Sequence, residues 1–220
     1  MIHHLAIIAD GNGRYGESLG LTRNDGYEYG AKAVFQAVCD LTKLPIDVET
    51  FYVFSTDNNK RNHEEVSNIF HVIAYFLKNK IYPFARENGI TVRLIGDVGR
   101  LPEDMQKELA DAPNYETGKT VVFAINYGGD DEIVRACRKT VEQGEMITVG
   151  SIKNNLDTAG LPDPDAIVRY GGYKRLSNFL PLQSAYAELF FTDKLWPQYD
   201  ISDITDVMER FQTIKRKFGK

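Results

Sequence analysis

The first residues whose types and spacing indicate chemistry are Asp10-Gly11-Asn12-Gly13-Arg14, which follow a short apolar run directly. Two glycines allow a tight turn that exposes backbone N–H groups. Asp10 offers a hard oxygen ligand suited to Mg²⁺, and Arg14 offers a planar fork suited to phosphate. The pattern favours a site for a magnesium-bound diphosphate, and the simpler alternative is a plain glycine-rich turn.

A second set of anion-binding residues surrounds a Gly-Gly pair late in the chain. Arg169, Arg175 and Ser177 flank Gly171-Gly172 and offer guanidinium and hydroxyl groups to an anion. Further on, Glu188 stands among apolar residues, where a glutamate is costly unless it is paired with a cation or a metal. We expect Glu188 to belong to the same site, and the alternative is an ordinary solvated glutamate.

A third polar run extends from Ser55 to Arg61, directly after an apolar strand pattern. Such a run after a strand is typical of a ligand-binding loop. Ser, Thr, Asp and Asn also cap helices well, so a capping loop explains the same residues equally well.

Three other patterns are weak. Gly11-x-Gly13-x-x-Gly16 matches the dinucleotide fingerprint, but the acidic residue that should end a second strand about 20 positions later is missing. Asp130-Asp131 lacks the third aspartate of a DDxxD motif, because Val134 stands there. Asp163-Pro164-Asp165 is formally a DxD, the pattern of metal-dependent sugar-nucleotide transferases, and the proline favours a turn instead.

The elements that must position these residues alternate along the chain. Apolar runs predict strands over 5–9, 49–54, 91–95, 120–125 and 166–169. Helical periodicity predicts helices over 26–44, 62–88, 102–110, 130–142 and from about 202 to 217, with Ser202-Asp203 as the last cap. This alternation predicts a single α/β domain over residues 1–220, with a mainly parallel sheet of about six strands flanked by helices. Ligands of such sheets bind at the carboxyl ends of the strands, where the polar motifs fall.

Composition narrows the class of partner and the compartment. The net charge of −5 disfavours bulk binding of nucleic acid, so an anionic ligand must meet a local cluster of arginines. Cys39 and Cys137 lack metal or redox spacing and are expected to be free, buried thiols. The first ten residues do not resemble a signal peptide, and no stretch approaches the length of a membrane span. We therefore expect a cytoplasmic protein.

Through these motifs the chain resembles the cis-prenyltransferase (undecaprenyl diphosphate synthase-like) family over roughly residues 3–219. Five segments carry the resemblance, in the family's order and at nearly its spacing. They are residues 4–14, the Phe54-Ser55-Thr56-Asp57-Asn58 run with Arg61, Asn126-Tyr127-Gly128-Gly129, the stretch from Arg169 to Leu180, and the stretch from Ser184 to Thr192.

The resemblance implies a fold with an apolar tunnel and a role for each motif residue. The protein would be a homodimer in which Asp10 holds Mg²⁺ on the substrate diphosphates. Glu188 would support the magnesium ion or lie at an end of the site that the two subunits share. The allylic diphosphate would bind Gly11, Asn12, Gly13, Arg14, Arg23, Tyr27 and Arg61, and isopentenyl diphosphate would bind Arg169, Arg175 and Ser177. Ser55 and Asn58 would position the acceptor and assist proton removal. A lipophilic product would permit peripheral contact with a membrane.

Departures from the family pattern concentrate at the tunnel mouth and on the allylic side. At nine places this chain differs from the residue usual in the family, which is given in parentheses: Tyr15 (Trp), Tyr27 (His), Val53 (Ala), Asn59 (Trp), Asn62 (Pro), Tyr170 (Thr), Tyr173 (Glu), Pro181-Leu182 (Leu-Trp) and Lys217 (Arg). Val53 should narrow the tunnel, which predicts a product shorter than C55. Irregular head-to-middle coupling of two dimethylallyl units, as in lavandulyl-type relatives, and a non-catalytic scaffolding subunit are the alternatives.

Overall fold

The computed structural model describes residues 1–115 and 118–216, and six parallel strands form one sheet within them. The strands are β1 (His4–Ile8), β2 (Val48–Ser55), β3 (Thr91–Ile95), β4 (Thr120–Tyr127), β5 (Ala166–Arg169) and β6 (Glu188–Phe191), in the order β3-β4-β2-β1-β5-β6. The helices are α1 (Asn12–Ser18), α2 (Arg23–Leu41), α3 (His63–Phe76), α4 (Tyr82–Asn88), α5 (Glu103–Leu109), α6 (Gly129–Glu142), α7 (Val149–Asn155) and α8 (Ile201–Thr213). The predicted single-domain α/β class with a six-stranded parallel sheet is confirmed.

Both faces of the sheet are buried, because alternate residues of each strand point to opposite sides. Along β1, Leu5 and Ile7 belong to the larger core, which also holds side chains of α2, α3, α4, α5 and α8. Ala6 and Ile8 belong to a smaller core on the other face, completed by Phe179. Burial on both faces explains why the strands read as continuous apolar runs.

Three elements were not predicted as such. β6 starts at Glu188, so the residue that the sequence placed in a ligand site also opens the sixth strand. α1 lies in the glycine-rich segment after β1, where glycines masked its helical character. α7 is exposed and polar, although Thr148 and Ser151 form the capping box that announces it.

The long helix predicted over 62–88 has a π-helical turn, Leu77–Ile81, between α3 and α4. Pro83 lies in the first turn of α4 and has no N–H to continue the i→i−4 ladder, which accounts for the interruption. The last helix is also shorter than predicted: it is capped by Asp200, ends at Thr213, and Lys217 lies outside the described residues. No helix in the described ranges is long and apolar enough to cross a membrane.

The strand register brings three motifs to one edge of the sheet. Ile8 at the end of β1 pairs with Tyr52 of β2 on one side and with Arg169 of β5 on the other. The chain leaves all three strands at this edge, so the segments after Ile8, after Ser55 and after Arg169 are neighbours. The expectation that the polar motifs meet at the carboxyl edge follows from this pairing.

One buried acid has no evident structural partner. Glu49 of β2 is 1% exposed, and neither carboxylate oxygen has a hydrogen-bond partner among the described residues. Burial raises the pKa of Glu49 from 4.5 to about 8, and the nearby Lys119 opposes that shift only in part. The carboxyl group is therefore neutral in the folded protein over most of the range in which it ionises in the unfolded chain.

This burial predicts a stability that falls with rising pH. Between about pH 4.5 and 8 the folded state holds a proton that the unfolded state has lost, so the free energy of unfolding decreases across that window and levels off above it. Glu49→Gln should flatten the decrease, measured by urea unfolding at pH 5, 6.5 and 8. Glu142→Gln, on the exposed face of α6, is the control. An unchanged slope in Glu49→Gln would contradict the assignment.

Candidate active site

The predicted residues surround one cavity of about 230 Å³ at the carboxyl edge of the sheet. All of them except Arg175 and Glu188 line it: Asp10, Gly11, Asn12, Gly13, Arg14, Arg23, Tyr27, Ser55, Asn58, Arg61, Arg169 and Ser177. Arg175 lies beside it, because its Nε donates to Ser177 Oγ at 3.3 Å. A wider open groove of about 520 Å³ between α3 and α5 contains none of these residues.

Close packing explains the glycines of the first motif. Gly11 has a φ of 106°, and a Cβ on it would lie 2.8 Å from Leu195 Cδ2. A Cβ on Gly13 would lie 3.0 Å from the guanidinium carbon of Arg23. Arg23 itself begins α2 after a capping box formed by Thr22 and Asp25. The glycines thus allow an arginine of the next helix to lie against the turn.

The centre of the site is a charge-paired arginine. Arg169 ends β5, its side chain is only 4% exposed, and it donates from Nη2 to Asp10 Oδ2 at 2.8 Å. Its Nη1 donates to Ser177 Oγ at 2.8 Å. Arg14 donates to the Gly171 carbonyl at 2.9 Å and approaches Asp10 Oδ1 at 3.5 Å. A buried guanidinium with one carboxylate partner is stable only when its position is fixed. The Ser177 hydroxyl and the position of Arg169 at the end of β5 fix it here.

The loop that carries Ser177 is conformationally unusual. Ser177, Asn178 and Leu180 have φ values of 52°, 62° and 49°, in the left-handed region that residues other than glycine seldom adopt. Asn178 offsets this cost by accepting hydrogen bonds from the backbone N–H groups of Gly129 and Asp130 at the start of α6. The loop is therefore tied to the end of β4, and Ser177 is held towards Arg169.

The polar run after β2 caps a short turn and also reaches the cavity. Asn58 Oδ1 accepts from the Ser55 N–H at 3.1 Å and so caps the short 3₁₀ turn Thr56–Lys60. Both residues also border the cavity. Asn59 donates to Asn126 Oδ1 at 2.8 Å, which fixes the turn to the end of β4.

A third arginine is held by a residue that the sequence reading missed. Arg61 Nη1 donates to Glu65 Oε1 at 3.1 Å and to the Tyr27 hydroxyl at 2.8 Å, and that hydroxyl donates to Glu65. Burial and the Glu65 carboxylate raise the pKa of Tyr27 to about 12, so the phenol stays protonated and can donate. The i,i+4 spacing of Arg61 and Glu65 at the start of a helix was the available signal.

Apolar space continues inward from the charged mouth. Two small cavities of about 50 and 40 Å³ lie beneath it, lined by side chains of α2, α3 and the sheet. Val53 borders the mouth and both inner cavities. Phe123 and Ile125 of β4 border the deepest one. The predicted narrowing at Val53 thus coincides with the point where the three spaces meet.

Glu188 does not join the site of its own chain. It pairs with Ala166 at the amino end of the β5–β6 ladder, whereas Arg169 pairs with Phe191 three residues on, roughly 10 Å further along the strand. It is half-buried rather than buried. The expected contact of Glu188 with the Asp10 site is therefore absent within this chain, because strand direction separates the two ends.

The weaker patterns have structural roles. Asp165 lies at the amino end of β5, accepts from Arg216 at 2.6 Å and is distant from the cavity edge, and Asp163 pairs with Lys153. The DxD segment is thus the predicted turn. Asp130 and Asp131 fall in the first turn of α6, as expected. Within the described ranges, no group of three His, Cys, Asp or Glu side chains could hold a metal.

Comparison with known proteins shows the family and the fold of the chain. The family model "Putative undecaprenyl diphosphate synthase" matches residues 8–219. Isoprenyl transferase from Treponema denticola is 39% identical over 99% of this chain and 97% of the relative, and that from Wolinella succinogenes is 39% identical over 99% and 96%.

Two solved structures share the fold over nearly their whole length. Lavandulyl diphosphate synthase from Lavandula x intermedia, crystallised with dimethylallyl diphosphate, superposes with a TM-score of 0.92 at 29% identity and covers 100% of this chain and 98% of that one. A probable undecaprenyl diphosphate synthase from Campylobacter jejuni superposes with a TM-score of 0.79 at 28% identity, and the match covers 100% of this chain and 99% of that one. The chain belongs to the undecaprenyl diphosphate synthase family and is a prenyltransferase of isoprenoid biosynthesis.

Proposed function

We propose that this prenyltransferase is a Mg²⁺-dependent cis-prenyl diphosphate synthase that condenses isopentenyl diphosphate with a short allylic diphosphate. The observation that carries the proposal is a single cavity with guanidinium groups of Arg14, Arg23, Arg61 and Arg169 at its mouth and apolar side chains beneath. Two diphosphates match the excess of positive charge, and a prenyl chain matches the apolar interior.

The donor set at Asp10 suits magnesium. Mg²⁺ in phosphoryl sites takes one or two carboxylates and completes its shell with phosphate oxygens and water. Asp10 borders the cavity and is about one-third exposed, so one carboxylate faces the space that a diphosphate would fill. Bound there, the ion would stabilise negative charge on the departing diphosphate.

The reaction would proceed at the boundary between the charged mouth and the apolar interior. The allylic C–O bond breaks, the terminal alkene carbon of isopentenyl diphosphate bonds to the allylic carbon, and the acceptor loses a proton to restore a double bond. Arg23 and Arg61 would receive the leaving diphosphate, and Arg169, Arg175 and Ser177 the acceptor's. Ser55 and Asn58 line the same cavity and would assist proton removal. Val53 and Ile69 exclude water from the cation.

The dimensions of the interior support a short product. The two inner cavities total about 90 Å³, far less than a long polyprenyl chain needs, and Val53 stands where they meet the mouth. A second candidate reaction is irregular coupling of two dimethylallyl diphosphates. The close superposition on lavandulyl diphosphate synthase favours it, whereas the identity to isoprenyl transferases favours regular elongation.

A homodimer would give Glu188 a role that its own chain does not. β6 is an edge strand of the sheet in the described residues, and Leu189 on it is 44% exposed. An exposed strand edge with apolar side chains is a natural pairing surface for a second copy. Glu188 would then act at the partner's magnesium site. Cytosolic placement is part of the same proposal and is supported by the free cysteines Cys39 and Cys137.

Asp10 gives the sharpest test of the magnesium assignment. Asp10→Asn should lower turnover at least about 100-fold, because the amide is a poor Mg²⁺ ligand, while it still accepts from Arg169. Asp10→Ala should in addition lower the melting temperature, because it leaves Arg169 buried and unpaired. Asp130→Asn on exposed α6 is the control. Wild-type turnover in Asp10→Asn would sink the assignment.

The role of Glu188 is tested by subunit complementation. Asp10→Asn and Glu188→Gln should each be poorly active alone, and a dissociated and reassociated equimolar mixture should recover about a quarter of wild-type activity. The reason is that half of the dimers are mixed and each mixed dimer contains one unaltered site.

A mixture no more active than its components would show that Glu188 serves its own chain or no site. Capture of an affinity-tagged Asp10→Asn chain together with untagged Glu188→Gln chain confirms that exchange has occurred, and sedimentation reports whether the protein is a dimer. A monomer at assay concentration would contradict the dimer directly.

Product length should respond to Val53. Val53→Ala removes two methyl groups where the three cavities meet, so the products should lengthen by one or more C5 units, measured by chromatography of dephosphorylated products. Val122→Ala, at a fully buried valine on the other face of the sheet, should lower stability and leave chain length unchanged. Identical product lengths in both variants would contradict the proposed narrowing.

A further inference from the structure

Tyr173 occupies a position that the reaction above leaves unexplained. Its ring lies within cation–π distance of three guanidinium groups: Arg175 at 4.1 Å, Arg14 at 5.1 Å and Arg169 at 5.6 Å from the ring centroid. The side chain is 43% exposed, so simple core packing does not account for its place. Arginines repel one another, and their convergence on one ring requires a source of attraction.

The ring lies behind the arginines rather than in the cavity. Arg14 and Arg169 line the cavity, and Tyr173 does not. The turn that carries it is anchored, because the N–H groups of Gly171 and Gly172 donate to the carbonyls of Lys194 and Thr192 at 2.8 and 3.0 Å. A fixed ring face behind two guanidinium groups favours orientations in which their N–H edges point into the cavity.

Charge in this part of the site is unbalanced. Two of the three arginines share one carboxylate, Asp10, which pairs with Arg169 at 2.8 Å and meets Arg14 at 3.5 Å. Arg175 has Ser177 Oγ at 3.3 Å and the ring of Tyr173. The aromatic face attracts all three cations without neutralising any, so the positive charge in excess of the Asp10 carboxylate remains available to an incoming anion.

We propose that Tyr173 is a positioning residue for diphosphate recognition: its ring holds Arg169 and Arg175 of the acceptor diphosphate site together in advance, with Arg14 of the allylic site beside them, and so lowers the cost of assembling the acceptor site. The role rests on the proposed function only for the identity of the acceptor, isopentenyl diphosphate. Preorganisation of cations acts on binding rather than on bond making, so it should appear in KM and not in kcat.

The test is calorimetric titration of the purified full chain with inorganic pyrophosphate. Tyr173→Ala should weaken pyrophosphate binding roughly five- to tenfold, and Tyr173→Phe, which keeps the ring, should stay within about twofold of wild type. With isopentenyl diphosphate, Tyr173→Ala should raise KM by a similar factor and change kcat by less than about threefold.

The control is Tyr29→Ala. Tyr29 is also half-exposed and lies over a single cation, Lys32, at 5.2 Å on α2 outside the cavity. Three results would each overturn the proposal. They are equal pyrophosphate affinity in wild type and Tyr173→Ala, equal losses of affinity in Tyr173→Phe and Tyr173→Ala, and no pyrophosphate binding by the wild type. Ring-dependent pyrophosphate binding without any condensation would support Tyr173 and contradict the proposed reaction, so the two failures are distinguishable.

Discussion

The site depends on the ion pair between Arg169 and Asp10. A guanidinium only 4% exposed at the end of a central strand is costly to desolvate, and one carboxylate from the neighbouring strand is the partner that makes it tolerable. That pairing requires β1 and β5 to be adjacent and in register, which they are, with Ile8 opposite Arg169. The parallel sheet thus determines where the anion site forms, and the cores on both faces keep the strands in place.

The remaining polar contacts extend from this pair in two directions. Ser177 binds Arg169 from a loop with left-handed backbone, a cost that Asn178 offsets through the start of α6. On the other side, Glu65 and Tyr27 hold Arg61 facing the same cavity. Arg169 and Arg61 are therefore held in place before any ligand arrives. Cations held in this way would not have to move as negative charge develops on a leaving diphosphate.

Sequence reasoning succeeded where a motif directly follows a strand. Asp10 and Arg169 come one or two residues after buried apolar runs, and strand direction then requires them to share an edge. It did not foresee that Glu188 lies away from Asp10 of its own chain, because β6 was not recognised as a strand; a role for Glu188 at a dimer-shared end of the site stays a prediction. The contact of Glu65 with Tyr27 and the cations around Tyr173 were not predictable in this way, since they depend on side-chain directions across separate elements.

Regular cis elongation to a short product is the reaction proposed for this prenyltransferase. The most direct measurement is product analysis of the purified protein with Mg²⁺ and isopentenyl diphosphate, offered with dimethylallyl, geranyl or farnesyl diphosphate in turn, and with dimethylallyl diphosphate alone as a separate reaction. We expect linear cis-prenyl diphosphates well short of C55 from the paired substrates and no product from dimethylallyl diphosphate alone. A branched C10 product from dimethylallyl diphosphate alone, or no product from folded protein in any mixture, would contradict it.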